Sequence, residues 1–225
     1  MEDFSSASDR RKVLLAIKFK LYGTLRFLSH AELLRLFRHS AIRAGLELRY
    51  SQGFNPHPKI SLPLPKSTGI ELDEDMLCLQ LESDNSEQTL SNIKSRLSQQ
   101  LPTGLELTKA DALAAKTKVQ PVLATYLFHL RLSHLTDNLE EKILSLMGKN
   151  ILNVARVYSK LPGRNVNVRP FLESIRLDGQ KIVAKCRVCQ DGSIRPGEII
   201  QLLQLNAEKL AKPIRRSNVQ WLITN

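Results

Sequence analysis

Three of the five histidines, His30, His39 and His57, fall in one basic stretch, RFLSHAELLRLFRHSAIRAGLELRYSQGFNPHPKIS, running from Arg26 to Ser61. Histidine titrates near neutral pH, so it is the side chain best suited to move a proton there. Acid–base chemistry also needs a partner within hydrogen-bond reach. His30 and His39 are nine residues apart on a segment patterned as a helix, about 13 Å along its axis, so they share neither a proton nor a metal ion. His30 falls in the first turn, where the positive end of the helix dipole disfavours imidazolium. A neutral ring there can act as a base, hydrogen bond to an RNA group, or bond to a neighbouring backbone carbonyl. His57 stands between Pro56 and Pro58, which bias its backbone toward extended geometry and present the ring at low entropic cost. His30 and His57 are the candidates for catalysis, and neither has a visible partner.

Other constellations point away from chemistry. There is no Ser/His/Asp order, no phosphate-binding G-x-x-x-x-G-K and no dinucleotide-binding G-x-G-x-x-G. Glu71, Asp73, Glu74 and Asp75 read as a solvated loop cluster and not as a metal site. Cys186 and Cys189 match C-x-x-C, but they lie in the alternating run KIVAKCRVC. Residues three apart on a strand point to opposite faces, and no second ligand pair completes a metal site. No metal and no cofactor are expected. The C-x-x-x-C-x-x-C run of a radical S-adenosylmethionine (SAM) enzyme is absent, so no iron–sulfur cluster of that kind is expected either.

The same stretch fits binding better than catalysis. Arg26, Arg35, Arg38, Arg43, Arg49 and Lys59 face only Glu32 and Glu47 in it. Its loop, Tyr50-Ser-Gln-Gly-Phe54-Asn55-Pro-His57-Pro-Lys59, joins aromatic faces that stack on unpaired bases to amides and a cation that hold phosphates. The same groups would suit a protein with an acidic face. Alternatively Phe54 plugs the core and the prolines only stiffen a connection. Arg169, Arg195 and Arg215 are further candidates for phosphate contact. Arg215 and Arg216 are neighbours on a strand, so only one can join a given surface. Lys160-Leu-Pro-Gly-Arg164 reads as a basic turn.

The elements that would position these groups repeat. Residues 13–22 alternate as a strand. Ser29 and Glu32 form a capping box, Leu33, Leu34, Phe37, Ala41 and Ala44 recur at helical spacing, and Gly45 ends the helix. LELRY, KISLPLP and MLCLQLE read as strands. Asp84 and Glu87 cap a second helix, closed by Pro102 and Gly104, and LELTKADAL returns as a strand. The second half follows the same order. It has the strand TYLFHLRLS, a helix capped by Asp137 and Glu140, and a hairpin about Asp178-Gly179. Pro196 sits at the start of another helix, and IRRSNVQWLIT is the last strand. The expected fold is α+β, two tandem ferredoxin-like (split βαβ) sandwiches. Residues 1–10 are a disordered lead-in, 11–112 the first domain and 121–225 the second.

Composition bounds the partners. At 42% hydrophobic and 24% charged the chain is globular, and nothing approaches the roughly 18 apolar residues of a membrane span. The polar, acidic start does not match a signal peptide, so the expected location is the cytoplasm, away from membranes. The net charge is +11, which favours polyanionic partners. It is uneven: residues 1–112 hold 15 Lys/Arg against 14 Asp/Glu, and residues 113–225 hold 18 against 8.

The segment RFLSH…YSQGFNPHPKISLPLPKSTGIE resembles the hallmark region of the radical-SAM-linked protein family, an uncharacterised domain found beside or fused to cobalamin-type radical SAM enzymes. Asn167–Leu172 and Ser193–Ile200 are similar to its second half, so the resemblance covers most of residues 11–222. It implies a partner and no reaction: a radical SAM enzyme, expected as a separate chain, that alkylates or thiolates a substrate such as RNA. Together with the basic loop, this implies an RNA-binding accessory protein that presents tRNA or rRNA to that enzyme. Arg26, Arg35, Arg38, Tyr50, Phe54, Asn55, His57 and Lys59 would form its main contact surface, with Arg169, Arg195 and Arg215 adding phosphate contacts. The alternatives are a metal-independent endoribonuclease using His30 or His57, and a protein-docking module without RNA affinity.

Overall fold

The alternating run that opens the chain forms β1, Arg11–Leu21. Leu15, Ile17, Phe19 and Leu21 are fully buried along it. The structure, a computed structural model, describes residues 11–83, 87–132, 138–158, 161–205 and 207–224. The lead-in 1–10 and the caps expected at Asp84 and Asp137 lie outside the described residues. The described residues form a mixed α+β protein. Its chain divides into two compact units, the first running to Thr68 and then through Glu74–Gln120, the second taking Gly69–Asp73 and Pro121–Leu222.

In the first unit the helix after β1 is α1, His30–Arg43. Both arms of its capping box are made: Glu32 N–H donates to Ser29 Oγ at 3.3 Å, and Ser29 N–H to Glu32 Oε2 at 2.8 Å. The Ser29 hydroxyl also donates to Glu32 Oε2 at 2.7 Å, and this bond and the one from Ser29 N–H lower the Glu32 pKa. At the other end Gly45 takes φ +62°. Its N–H reaches Ile42 O, and Leu46 N–H reaches Ala41 O, the paired bonds of a Schellman stop. Leu33, Phe37 and Ala41 are buried in the helix, while Leu34 is only half-buried. Phe37 meets Phe19 edge-to-face with ring centres 5.0 Å apart, which locks α1 onto β1.

The rest of this unit is β2, Ile60–Ser61, β3, Glu71–Ser83, whose first three residues belong to the second unit, α2, Glu87–Ser98, and β4, Leu105–Ala114. Its strands lie in the order β2-β3-β1-β4. Three expectations need correction here. LELRY is not a strand but makes only isolated bridges, Leu48 with Leu81 and Tyr50 with Pro58. KISLPLP shrinks to β2, since Pro63 and Pro65 supply no N–H for a ladder. The acidic cluster Glu71–Asp75 is not a loop but the start of β3, where each acid is partnered or buried. Glu74 pairs with Lys18, Glu71 and Asp73 pair with Arg215, and buried Asp75 accepts from Met76 N–H.

The second unit continues with β5, Lys118–His129, α3, Asn138–Gly148, β6, Asn153–Tyr158, and β7, Leu161–Asn167. Then come β8, Leu172–Asp178, β9, Lys181–Cys189, β10, Gly192–Ser193, α4, Pro196–Leu202, and β11, Arg215–Thr224. β8 and β9 form the hairpin expected about Asp178-Gly179, with Asp178 opposite Lys181. The strands run β10-β9-β5-β11, with β8 also on β9. Arg215 and Arg216 of β11 pair in parallel with Glu71 and Leu72. β6 and β7 pair only with each other. Leu-Pro-Gly-Arg164, expected within a turn, is therefore one arm of an inserted hairpin.

A buried ion pair fastens that hairpin. Arg156 on β6 donates through Nε to Glu198 Oε1 at 2.7 Å and through Nη2 to Glu198 Oε2 at 2.9 Å and to Ser193 O at 2.7 Å. Glu198 also accepts from Arg195 N–H at the start of α4. Breaking such a pair strands a charge in a dry site and costs about 3 kcal/mol, whereas replacing both partners by apolar groups is nearly neutral. Arg156→Ala should therefore lower stability by about 3 kcal/mol in urea unfolding, and Arg156→Met/Glu198→Leu should recover most of that loss.

Candidate nucleic-acid interface

The loop from Arg49 to Lys59 is braced at its base by backbone bonds. Arg49 N–H donates to Gln80 O, Gln80 N–H to Lys59 O, and Lys59 N–H to Arg49 O, all within 2.9 Å. One step further out Ser51 closes the loop twice, its N–H donating to His57 O at 2.8 Å and its Oγ accepting from His57 N–H at 2.9 Å. Beyond this clasp Gln52–Pro56 are exposed, and Gly53 takes φ +125°, a conformation that favours glycine. Phe54, at the tip, is 107% exposed. It does not plug the core, contrary to one of the readings above. Tyr50, Asn55 and His57 are exposed as well, and Lys59 is half-buried. Beside the base opens a groove of about 430 Å³ lined by Lys12, Glu47, Arg49, Tyr50, Ser51 and Glu82.

The RFLSH segment is organised by a residue that sequence reasoning missed. Lys66 is 6% exposed, and its ammonium donates to Arg26 O at 2.6 Å, Leu28 O at 2.7 Å and Ser67 O at 3.2 Å. Those three bonds use all its donors. Lys66 N–H also donates to His30 Nδ1 at 3.4 Å. His30 is thus tied to the backbone through an N–H donated to its Nδ1. Arg26 bonds Gly23 O through Nη1, and its guanidinium lies 4.3 Å from the exposed ring of Phe27, a cation–π arrangement. On α1, Arg35 and His39 are exposed one turn apart. Arg38 is half-buried, and its Nε is buried with no hydrogen-bond partner.

In the second unit the three expected arginines have separate settings. Arg169 donates to Met147 O, Lys149 O and Leu172 O, which satisfies carbonyls at the end of α3. Arg215 is held by Glu71 and Asp73, while its neighbour Arg216 is 1% exposed. Arg195 is exposed at the N-cap of α4. His129 lies near Lys181, Lys212 and Arg215, and burial together with these cations lowers its pKa. Its Nδ1 is buried without a partner.

Cys186 is buried and Cys189 exposed, as a strand demands of residues three apart. Burial pushes the thiols of Cys78 and Cys186 up to about 12. Among the described residues, no group of three or more His, Cys, Asp or Glu is arranged to hold a metal ion. No helix among them is long and apolar enough to cross a membrane.

The loop and the Lys66 clamp lie within the part of the chain that matches a known family. Residues 15–200 match a family described as "Uncharacterized protein conserved in bacteria (DUF2344)". The chain belongs to that family. The description assigns it no reaction and no partner. No curated protein matches the sequence.

Two outcomes test this geometry. Lys66→Met keeps the aliphatic stem but leaves the carbonyls of Arg26 and Leu28 without their donor. It should lower stability by about 2 kcal/mol in thermal denaturation. Lys66→Arg should not restore it, because a planar fork cannot replace a compact ammonium. Under native conditions a thiol reagent at pH 8 should label Cys189 alone, with Cys78 and Cys186 reacting only after unfolding, as read by mass spectrometry.

Proposed function

We propose that this protein is a cytoplasmic RNA-binding accessory factor that presents structured RNA, tRNA or rRNA, to a separate radical SAM modification enzyme. The observation that carries the reading is Phe54. A fully exposed phenylalanine on a twice-clasped loop gains nothing from folding, and covering it would contribute about 2 kcal/mol. The groups around it, Tyr50, Asn55, His57 and Lys59, combine stacking faces, amides and a cation, as single-stranded RNA readers do. Arg26, Arg35 and Arg38 supply positive charge from the segment before α1 and from α1 itself, and Arg195 supplies it in the second unit.

The strand order supports the ferredoxin-like reading that goes with this function. The first unit runs β2-β3-β1-β4 and the second β8-β9-β5-β11, in each case the order expected of a split βαβ pair. Four strands in this order, joined by helices, make a platform common among RNA-binding modules. The endoribonuclease reading draws no support from His30, whose Nδ1 is taken by Lys66 N–H. Exposed Phe54 equally favours docking to a protein, so that reading stands second.

The deciding experiment measures binding of full-length protein to a structured RNA such as tRNA across a salt series. Phe54→Ala should weaken binding roughly 5- to 150-fold without changing the salt slope, because stacking contributes about 1–3 kcal/mol per base. Lys59→Glu should lower the slope by about one phosphate contact. If the wild-type protein binds RNA no better than an unrelated protein of equal net charge, and Phe54→Ala instead breaks a complex with a radical SAM enzyme, the docking reading replaces this one.

A further inference from the structure

The β6–β7 hairpin stands outside the repeated strand order of the two units, and its composition is peculiar. From Lys149 to Leu172 the sequence holds five basic residues, Lys149, Arg156, Lys160, Arg164 and Arg169, and no acidic one. Register separates its two faces. Val154 lies opposite Val166 and Arg156 opposite Arg164 on one face, and Asn153 opposite Asn167 and Ala155 opposite Asn165 on the other. Val154 is buried and Arg156 is held by Glu198, so the first face is the anchored one. On the second, Asn153, Ala155, Asn165 and Asn167 are all exposed.

Asparagine is depleted in strands, and three of them on one face of a two-stranded sheet break a local rule. Asn167 has a structural reason: its Oδ1 accepts from Leu152 N–H at 2.9 Å and Arg169 N–H at 3.1 Å. Among the described residues no comparable side-chain bond accounts for Asn153 or Asn165. A rule broken without a structural gain marks a functional position. The two amides sit diagonally across Ala155, a small residue that lets a partner approach closely. The absence of acids over 24 residues fits a polyanion.

We infer that the β6–β7 hairpin lies on the wide, shallow minor groove of a double-helical RNA stem, with the amides of Asn153 and Asn165 hydrogen-bonded to 2′-hydroxyls. This rests on the RNA-binding reading above and adds duplex RNA as the ligand class of the second unit. The minor groove of A-form RNA displays 2′-hydroxyls that DNA lacks. Amides that donate and accept suit those groups, and exposed Lys149, just before β6, supplies positive charge for a flanking phosphate. The Phe54 loop takes unpaired bases by stacking, so the two elements answer to different probes.

The test uses full-length protein with three probes: a 16-base-pair RNA duplex, the DNA duplex of the same sequence, and one RNA strand alone. Asn153→Val/Asn165→Val should fold with an unchanged or higher Tm, since valine is the better strand former. It should also lose about tenfold in affinity for the RNA duplex, and with it the preference over DNA, while single-strand affinity stays at the wild-type level. Asn165→Thr, a smaller change, guards against misfolding of the double variant and should weaken duplex binding in the same direction. Duplex affinity unchanged in both variants, with single strands still bound through Phe54, overturns this inference alone. A wild-type protein that binds none of the probes overturns the RNA reading itself. Binding of the hairpin to an acidic protein in place of the duplex also overturns the inference.

Discussion

The segment that leads into α1 depends on one buried cation. Moving an ammonium out of water is costly unless every N–H finds an acceptor. Lys66 meets that condition with three carbonyls, one of them in the 3-10 turn at Gly23–Phe27 and one at Leu28 between that turn and α1. Those carbonyls sit where a chain leaving one helical turn and entering another has few backbone partners of its own. RFLSH and PLPKSTG, 40 residues apart in sequence, are therefore two halves of one physical device. The clamp fixes where Ser29 begins α1, how Arg26 is carried, and how His30 is turned.

Net charge overstates the number of cations available to a ligand. Lys66 and Arg169 are bonded to carbonyls, Arg156 and Arg215 to carboxylates, and Arg43 to Gln100 O and Ser40 Oγ. Each organises its own surroundings before it can meet a phosphate. The +11 of the sequence is thus divided between structure and surface. A count by halves, which makes the second unit look the more basic, says little about which residues face a partner.

Local signals in the sequence translated well into structure. The Ser29–Glu32 capping box, the Gly45 stop, the Asp178-Gly179 turn and Pro196 at the start of α4 each rest on chemistry within a few residues, and each is found. Features with distant partners stayed hidden. Lys66 lies in a proline-rich run with no periodicity, and its acceptors are some 40 residues upstream. The acids of β3 look like a solvated turn because Lys18 and Arg215, which neutralise them, are far away in sequence. The β6–β7 hairpin was obscured because Pro162 and Gly163 read as turn signals, although a two-stranded ribbon with free outer edges tolerates both. Of the candidate site, the loop's aromatics, amides and cation could be read from the sequence, but the Ser51–His57 clasp and the exposure of Phe54 at the tip came only with the structure.

Phe54 and the paired asparagines share a logic that separates them from the rest of the chain. Elsewhere each unusual residue resolves into a local need: a buried lysine into three carbonyls, a buried arginine into a carboxylate, an orphan helix end into Arg169. At these two places the local rule is broken in opposite directions, with an apolar ring in water and amides on a strand. Neither contributes to its own element, since the loop is held by Ser51 and the hairpin by Arg156 and the Asn167 carbonyl. Because each supporting element is stiffened by residues other than the exposed ones, little ordering entropy remains to be lost on contact. Stiff supports carrying groups that the fold does not use are what a recognition surface requires, and on the reading proposed above the two would differ in chemistry as stacking differs from hydrogen bonding.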